Sequence, residues 1–148
     1  MEVKVKKLSP NATLPTYQTD QAAAMDVHAF LDTPMILQPL ERAMVPTGLA
    51  FEIPEGFEMQ VRARSGLSIK HGITMVNGVG TIDADYRGEL NILVINLGQE
   101  AFKIEPDMRI AQLVVTKFDK ITWQVTEALS ETNRGTGGFG HTGFDKKA

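Results

Sequence analysis

Asp83, Asp85 and Tyr86 fall within four residues of one another in the run NGVGTIDADYRGEL, residues 77–90, and Arg87 and Gly88 follow directly. The run offers a carboxylate for acid–base work, an aromatic ring as a surface and, in Asn77, an amide that can meet a polar edge. Gly78 and Gly80 break the chain before the apolar step of Val79 and Ile82. A strand, a tight turn and a second strand are expected, with Gly88 supplying the positive φ of the turn. Asp and Gly also crowd turns for purely local backbone reasons, so the same letters by themselves describe an ordinary hairpin. A calcium loop is excluded, because Arg87 stands where the third oxygen ligand belongs and Val94 where the closing glutamate belongs.

Further stretches add phosphate chemistry. Arg64-Ser65-Gly66 opens a segment that can make a single helical turn, which puts a guanidinium, a hydroxyl and free backbone N–H groups together. The simpler alternative is a serine N-cap. Gln112 interrupts the apolar run RIAQLVVTKF, either to bond a neighbouring strand or to face a ligand. Asp26 is a lone acid among small and apolar residues, either a satisfied polar group at a strand end or a ligand contact. His28 has no second histidine at ligand spacing and reads as packed or surface.

The tail, NRGTGGFGHTG from residue 133, carries five glycines in the nine residues that start at Gly135. Its G-x-G-G-F-G matches a dinucleotide-binding pattern, but the eight residues after Gly140 leave no room for the βαβ unit that pattern opens. A flexible linker would account for the glycines. It would not need an arginine, a phenylalanine and two threonines among them. An arm closing on a ligand would, with Arg134 for phosphate charge and Phe139 for a planar ring.

These residues need short strands to hold them. Residues 2–7 alternate valine with charge, predicting a strand with one buried face. Residues 57–63 alternate cleanly, with Phe57, Met59, Val61 and Ala63 on one side and Glu58, Gln60 and Arg62 on the other. Prolines at 39, 46 and 54 predict short strands joined by turns between residues 35 and 53. Residues 90–97 are apolar on both faces, as in a central strand covered on both sides. Residues 102–104 and 109–118 add more strand, and Trp123 with Val125 a last one. The expected class is all-β.

With 148 residues, 43% of them apolar, the chain fits one domain with its own core. It has no apolar run of membrane length, no apolar segment behind the basic start MEVKVKKLSP and no cysteine. The expectation is a cytoplasmic protein without a membrane or secretory segment. A net charge of −3 argues against nucleic acid as a partner.

Five stretches, AAMDV, RSGLS, GTIDADYRGEL, RIAQL and RGTGGFGHTG, together resemble the deoxyuridine triphosphatase (dUTPase) family of homotrimeric jelly-roll enzymes, in that family's order and over nearly the whole chain. The resemblance implies a distorted jelly-roll barrel in residues 1–125 and a mobile glycine-rich arm in residues 126–148. It implies hydrolysis of dUTP to dUMP and pyrophosphate with Mg2+, which limits uracil in DNA and supplies dUMP for dTTP synthesis. Asp83 would orient and activate the attacking water, and Tyr86 would pack under the deoxyribose and exclude a 2′-hydroxyl. Asn77, Thr81, Ile82 and Asn91 would form the uracil pocket. Arg64, Ser65, Gly66 and Gln112 would meet the triphosphate, and Asp26 the outer shell of the metal through water. From the arm, Phe139 and Gly140 would cover the base, while Arg134, His141 and Thr142 meet the terminal phosphate. Each site would draw on three subunits.

Ala24 and Met25 depart from the glycine and aromatic residue usual in the first motif, and His141 from the more frequent serine of the arm. The related dCTP deaminases carry a glutamate in the strand after the hairpin, and residues 90–97 contain no acid. The other alternative is a deoxynucleotide-binding module or sensor without turnover.

Overall fold

The computed structural model describes residues 1–139, so Gly140, His141 and Thr142 lie outside the described residues. Among the described residues, eleven strands form three sheets, and there is one helix. A four-stranded sheet has β1 (Lys4–Lys7) beside β5 (Arg42–Glu52), then β9 (Glu89–Asn96) and β7 (Ile73–Met75). A five-stranded sheet runs β2 (Thr16–Tyr17), β3 (Met25–His28), β11 (Arg109–Lys117), β6 (Phe57–Ala63), β8 (Gly80–Ile82). The pair β4 (Met35–Leu37) and β10 (Phe102–Ile104) completes the set. Every pairing is antiparallel. The all-β, jelly-roll-like expectation is met.

The core is made by the inward positions of the long strands. Met59 and Val61 of β6, Leu113 of β11, Val45 and Leu49 of β5, and Leu90, Ile92 and Val94 of β9 are all buried. Their period of two puts alternate residues of each strand on one apolar surface. Burying a large aliphatic side chain contributes about 1.5–3 kcal/mol, so these positions dominate the stability of the fold.

Pro46 and Gly48 do not end β5. The register against β9 shifts between Pro46 and Ala50, and the extra residues form an irregularity where a proline is tolerated. Gly48 sits there at φ +67°, and a Cβ on it would come within 2.8 Å of Ala12 Cβ. Its N–H donates to Glu89 Oε1 at 2.8 Å, and the buried Thr47 hydroxyl donates to the Leu90 carbonyl at 2.6 Å. The strand bends at this point and continues.

Other expectations are corrected. β8 pairs with β6 and β9 pairs with β5 and β7, so the strands flanking the Asp83 loop belong to different sheets and form no hairpin. β9 is central but covered on one side only: Leu93 and Leu97 are exposed, with the exposed Met44 opposite Leu93. No strand includes Trp123 or Val125, and both are exposed. β1 pairs only with β5, and Val5 is exposed, because an edge strand beyond the core has nothing to cover it. The single turn expected at Ser65 is the seven-residue helix α1 (Ser65–His71), about two turns.

Candidate active site

One corner is assembled from three strands of the five-stranded sheet. Asp26 on β3 lies directly opposite Gln112 on β11, which in turn lies opposite Arg62 on β6, and Arg64 follows the end of β6. Asp26 is only 2% exposed. Its Oδ1 accepts from Gln112 Nε2 at 3.2 Å. Its Oδ2 accepts from Arg109 Nη1 at 3.1 Å and pairs with Arg64 Nη2 at 3.4 Å. A carboxylate removed from water without partners would cost several kcal/mol, and two guanidiniums with an amide offset that cost. Two cations against one anion leave a positive corner, suited to an anionic ligand.

Arg64 is held further by donating from Nη1 to the Arg109 carbonyl at 2.8 Å. It is also the N-cap of α1, without a side-chain cap, so the serine N-cap alternative is set aside. Ser65 and Gly66 begin the helix exposed. Asp26, Arg64, Ser65, Gly66 and Gln112 are therefore brought together, and Ala24 and Met25 leave Asp26 in regular strand pairing.

Arg109 belongs to this corner although only Gln112 stood out in its stretch of sequence. In a regular strand, residues three apart face opposite sides. The β3–β11 register shifts between Arg109 and Ala111, and that irregularity turns Arg109 to the same side as Gln112. Arg109 Nη1 also donates to Gln18 Oε1 at 2.9 Å.

The second group lies around β8. The side chain of Asn77 folds over Gly80, where a Cβ would stand 3.2 Å from its Nδ2. Thr81 and Ile82 follow in the edge strand, and Asp83 comes directly after it, exposed. Asp83 lines a cleft of about 690 Å³ with Glu52, Asp85, Arg87, Phe118 and Lys120. The Glu52 carboxyl there is held below its ordinary range by the Lys4 ammonium, its hydrogen-bond partner, with a smaller effect of Arg87.

The loop after Asp83 is tied by its own groups. Tyr86 N–H donates to the Asp83 carbonyl at 3.2 Å, and Tyr86 Oη donates to the Glu89 carbonyl at 2.9 Å. Arg87 Nη1 donates to the Ala84 carbonyl at 2.6 Å. Asn91 Nδ2 reaches the same Glu89 carbonyl at 3.2 Å, which links the start of β9 to the loop. Gly88 is not among the positive-φ residues. Its role is space, since a Cβ there would meet Tyr86 Oη at 2.3 Å.

The two groups stand apart. Ile82 is opposite Met59 near the start of β6, whereas Arg64 follows its end. At about 3.3 Å per residue, Asp83 and Arg64 are on the order of 20 Å from each other. Arg134 and Phe139 join neither group: Arg134 Nε donates to the Gly137 carbonyl at 2.8 Å within a local turn, and Phe139 is fully exposed.

A family model described as dUTPase matches residues 10–143. The chain belongs to the dUTPase family. Deoxyuridine 5′-triphosphate nucleotidohydrolase of Rickettsia felis is 50% identical over 143 residues, covering 96% of this chain and 97% of that protein. The protein of the same name from Orientia tsutsugamushi is 48% identical over 147 residues, covering 97% and 99%. Among solved structures, the dUTPase of Staphylococcus bacteriophage 80alpha with dUpNHpp matches at a TM-score of 0.87 and 29% identity, covering 97% of this chain and 99% of that one. This dUTPase-family chain is accordingly an enzyme of dUTP hydrolysis.

Proposed function

We propose that the chain hydrolyses dUTP to dUMP and pyrophosphate at sites completed between subunits of a homotrimer, with Asp83 activating the attacking water. The observation that carries this reading is the separation of a finished anion corner from an exposed acid loop at opposite ends of β6. That separation, on the order of 20 Å along the strand, supports a reading in which a second copy supplies one of the two. The uncovered apolar side of β9 and Met44 offers a surface for that copy.

In this reading Arg64, Ser65, Gly66 and Gln112 grip the phosphates, and Asp26 with Arg109 fixes the angle of Arg64. Asn77, Thr81, Ile82 and Asn91 surround the uracil edge. Tyr86 lies under the deoxyribose. Asp83 takes the proton of the attacking water and holds it in line with the reacting phosphorus. Residues 126–148 form the arm over residues 1–125, with Phe139 and Gly140 on the base and Arg134, His141 and Thr142 on the terminal phosphate. The work falls in the cytoplasm on free nucleotide, limiting uracil in DNA and supplying dUMP.

The described residues contain no group of three or more His, Asp or Glu able to ligate a metal, and the corner around Asp26 is net positive. These residues would not hold an Mg2+ by themselves: the ion would come with the substrate's phosphates, and Asp26, with Oδ1 and Oδ2 engaged by Gln112, Arg109 and Arg64, would meet its water shell only by giving up one of those partners. When bound, the ion offsets negative charge on the phosphoryl oxygens.

Pyrophosphate release is to be measured with dUTP, dTTP, dCTP and UTP, for the wild type and for Asp83→Asn. The expected result is release from dUTP alone, reduced about 10²–10⁴-fold in the variant. A wild type that binds dUTP without release would instead support a nucleotide sensor.

A further inference from the structure

Gly88 is not required by a left-handed φ, since it is not among the positive-φ residues. Its neighbour gives the reason. A Cβ at position 88 would stand 2.3 Å from Tyr86 Oη, 2.6 Å from Cζ and 3.0 Å from Cε2, so the phenol ring closes back onto the bare Cα. The hydroxyl is then docked on the Glu89 carbonyl at 2.9 Å. Glu89 is itself anchored, paired with Ala50 and accepting the Gly48 N–H on its side chain at 2.8 Å. The ring is thus set from the first residue of β9, itself tied to β5, while 46% of Tyr86 stays open to solvent and ligand. The atoms a methyl group would strike are the outer atoms of a half-open side chain, which can swing away without disturbing the core.

We propose that Gly88 is a positioning residue for sugar discrimination: it gives the Tyr86 ring the room to lie where a ribose 2′-hydroxyl would collide with it. This inference rests on the reading of Tyr86 as the deoxyribose platform. Any side chain at position 88 displaces the ring, and the displaced ring no longer closes the space beside C2′. Discrimination by collision is lost, whereas the groups that handle water and phosphate stay in place.

The test compares kcat/KM for dUTP and UTP in the wild type, Gly88→Ala, Tyr86→Ala and the double variant. Gly88→Ala is expected to lower the dUTP-to-UTP ratio about tenfold or more. The same change is expected to leave the ratio of Tyr86→Ala unmoved, because the colliding ring is already gone. A general loss of structure would lower both substrates together and would not show this dependence. Should Gly88→Ala fail to fold, folding of the double variant still demonstrates the collision. A fluorotyrosine NMR spectrum reads the ring directly, since the chain has only two tyrosines, Tyr17 and Tyr86. One resonance is expected to move in Gly88→Ala and the other to stay. A ratio unchanged in Gly88→Ala but lowered in Tyr86→Ala overturns the role of Gly88 alone. A ratio unchanged in both overturns the sugar reading and this inference with it.

Discussion

The corner around Asp26 and the loop around Asp83 are built on opposite plans. Asp26 is buried, and the acceptors Oδ1 and Oδ2 are both occupied by side chains from other elements of the same chain. Asp83 is exposed, and its loop is fastened mainly by short-range bonds among residues 83–91, with Glu89 tying its far end to β5. The first is preorganised by folding, and in the proposed reading the second is completed by a surface from another copy. Catalysis of phosphoryl transfer needs fixed charges around the phosphates and a water held in line. Keeping the two parts on different subunits would make the active site form only when the oligomer does.

The largest effect that can break this contrast comes from mixing two dead proteins. Arg64→Ala and Asp83→Asn are each expected to be inactive, yet a co-refolded mixture of equal parts should regain about a quarter of wild-type turnover. That fraction is the chance that a shared site draws its intact arginine and intact aspartate from different chains. No recovery, with mixed oligomers demonstrated, would place both residues in one chain's site. Next in size, Leu93→Lys puts a charge on the uncovered side of β9. Monomers and loss of most turnover are expected, read by analytical ultracentrifugation beside the activity assay. Trimers of normal activity would show that this face lies elsewhere in the assembly.

A smaller change sharpens the picture of the preformed corner. Arg109→Met removes one of two guanidiniums from Asp26 and should cost about 1–3 kcal/mol of stability, since Arg109 is partly exposed and Arg64 remains. Urea unfolding measures this, and a raised KM for dUTP should accompany it. The smallest effect belongs to the Lys4–Glu52 pair, 2.7 Å apart on the surface. The Glu52 carboxyl is lowered in the folded chain, so the pair's stabilisation is present above about pH 4.5 and fades as acid protonates the folded carboxylate. Lys4→Met should therefore leave melting at pH 7 within about 1 °C and flatten its acid dependence slightly.

Much of the molecule was legible along the chain. Clean alternation in residues 57–63 gave β6, and the apolar run at 90–97 gave β9, because hydrophobic periodicity is a local record of which face is buried. Asp26, Arg64, Gln112, Asp83 and Tyr86 stood out by residue type in stretches too specific to be accidental. What stayed hidden depends on register. Whether the strands beside Asp83 pair with each other or join separate sheets is a choice among partners, and either option satisfies the same alternation. Arg109 reads as facing away from Gln112 until an irregularity in β11 changes the parity.

By itself, then, the sequence determined an all-β class, the apolar positions of the core and the chemical parts of a nucleotide site, since these follow from side-chain type and period. Only the tertiary structure decided that Asp26 is enclosed by two arginines and that Gly88 leaves room for the Tyr86 ring. The same holds for the acid loop and the arginine corner lying at opposite ends of β6. Each of these is a distance between residues whose separation is set by strand partners and bulges, and no local preference of the chain encodes it.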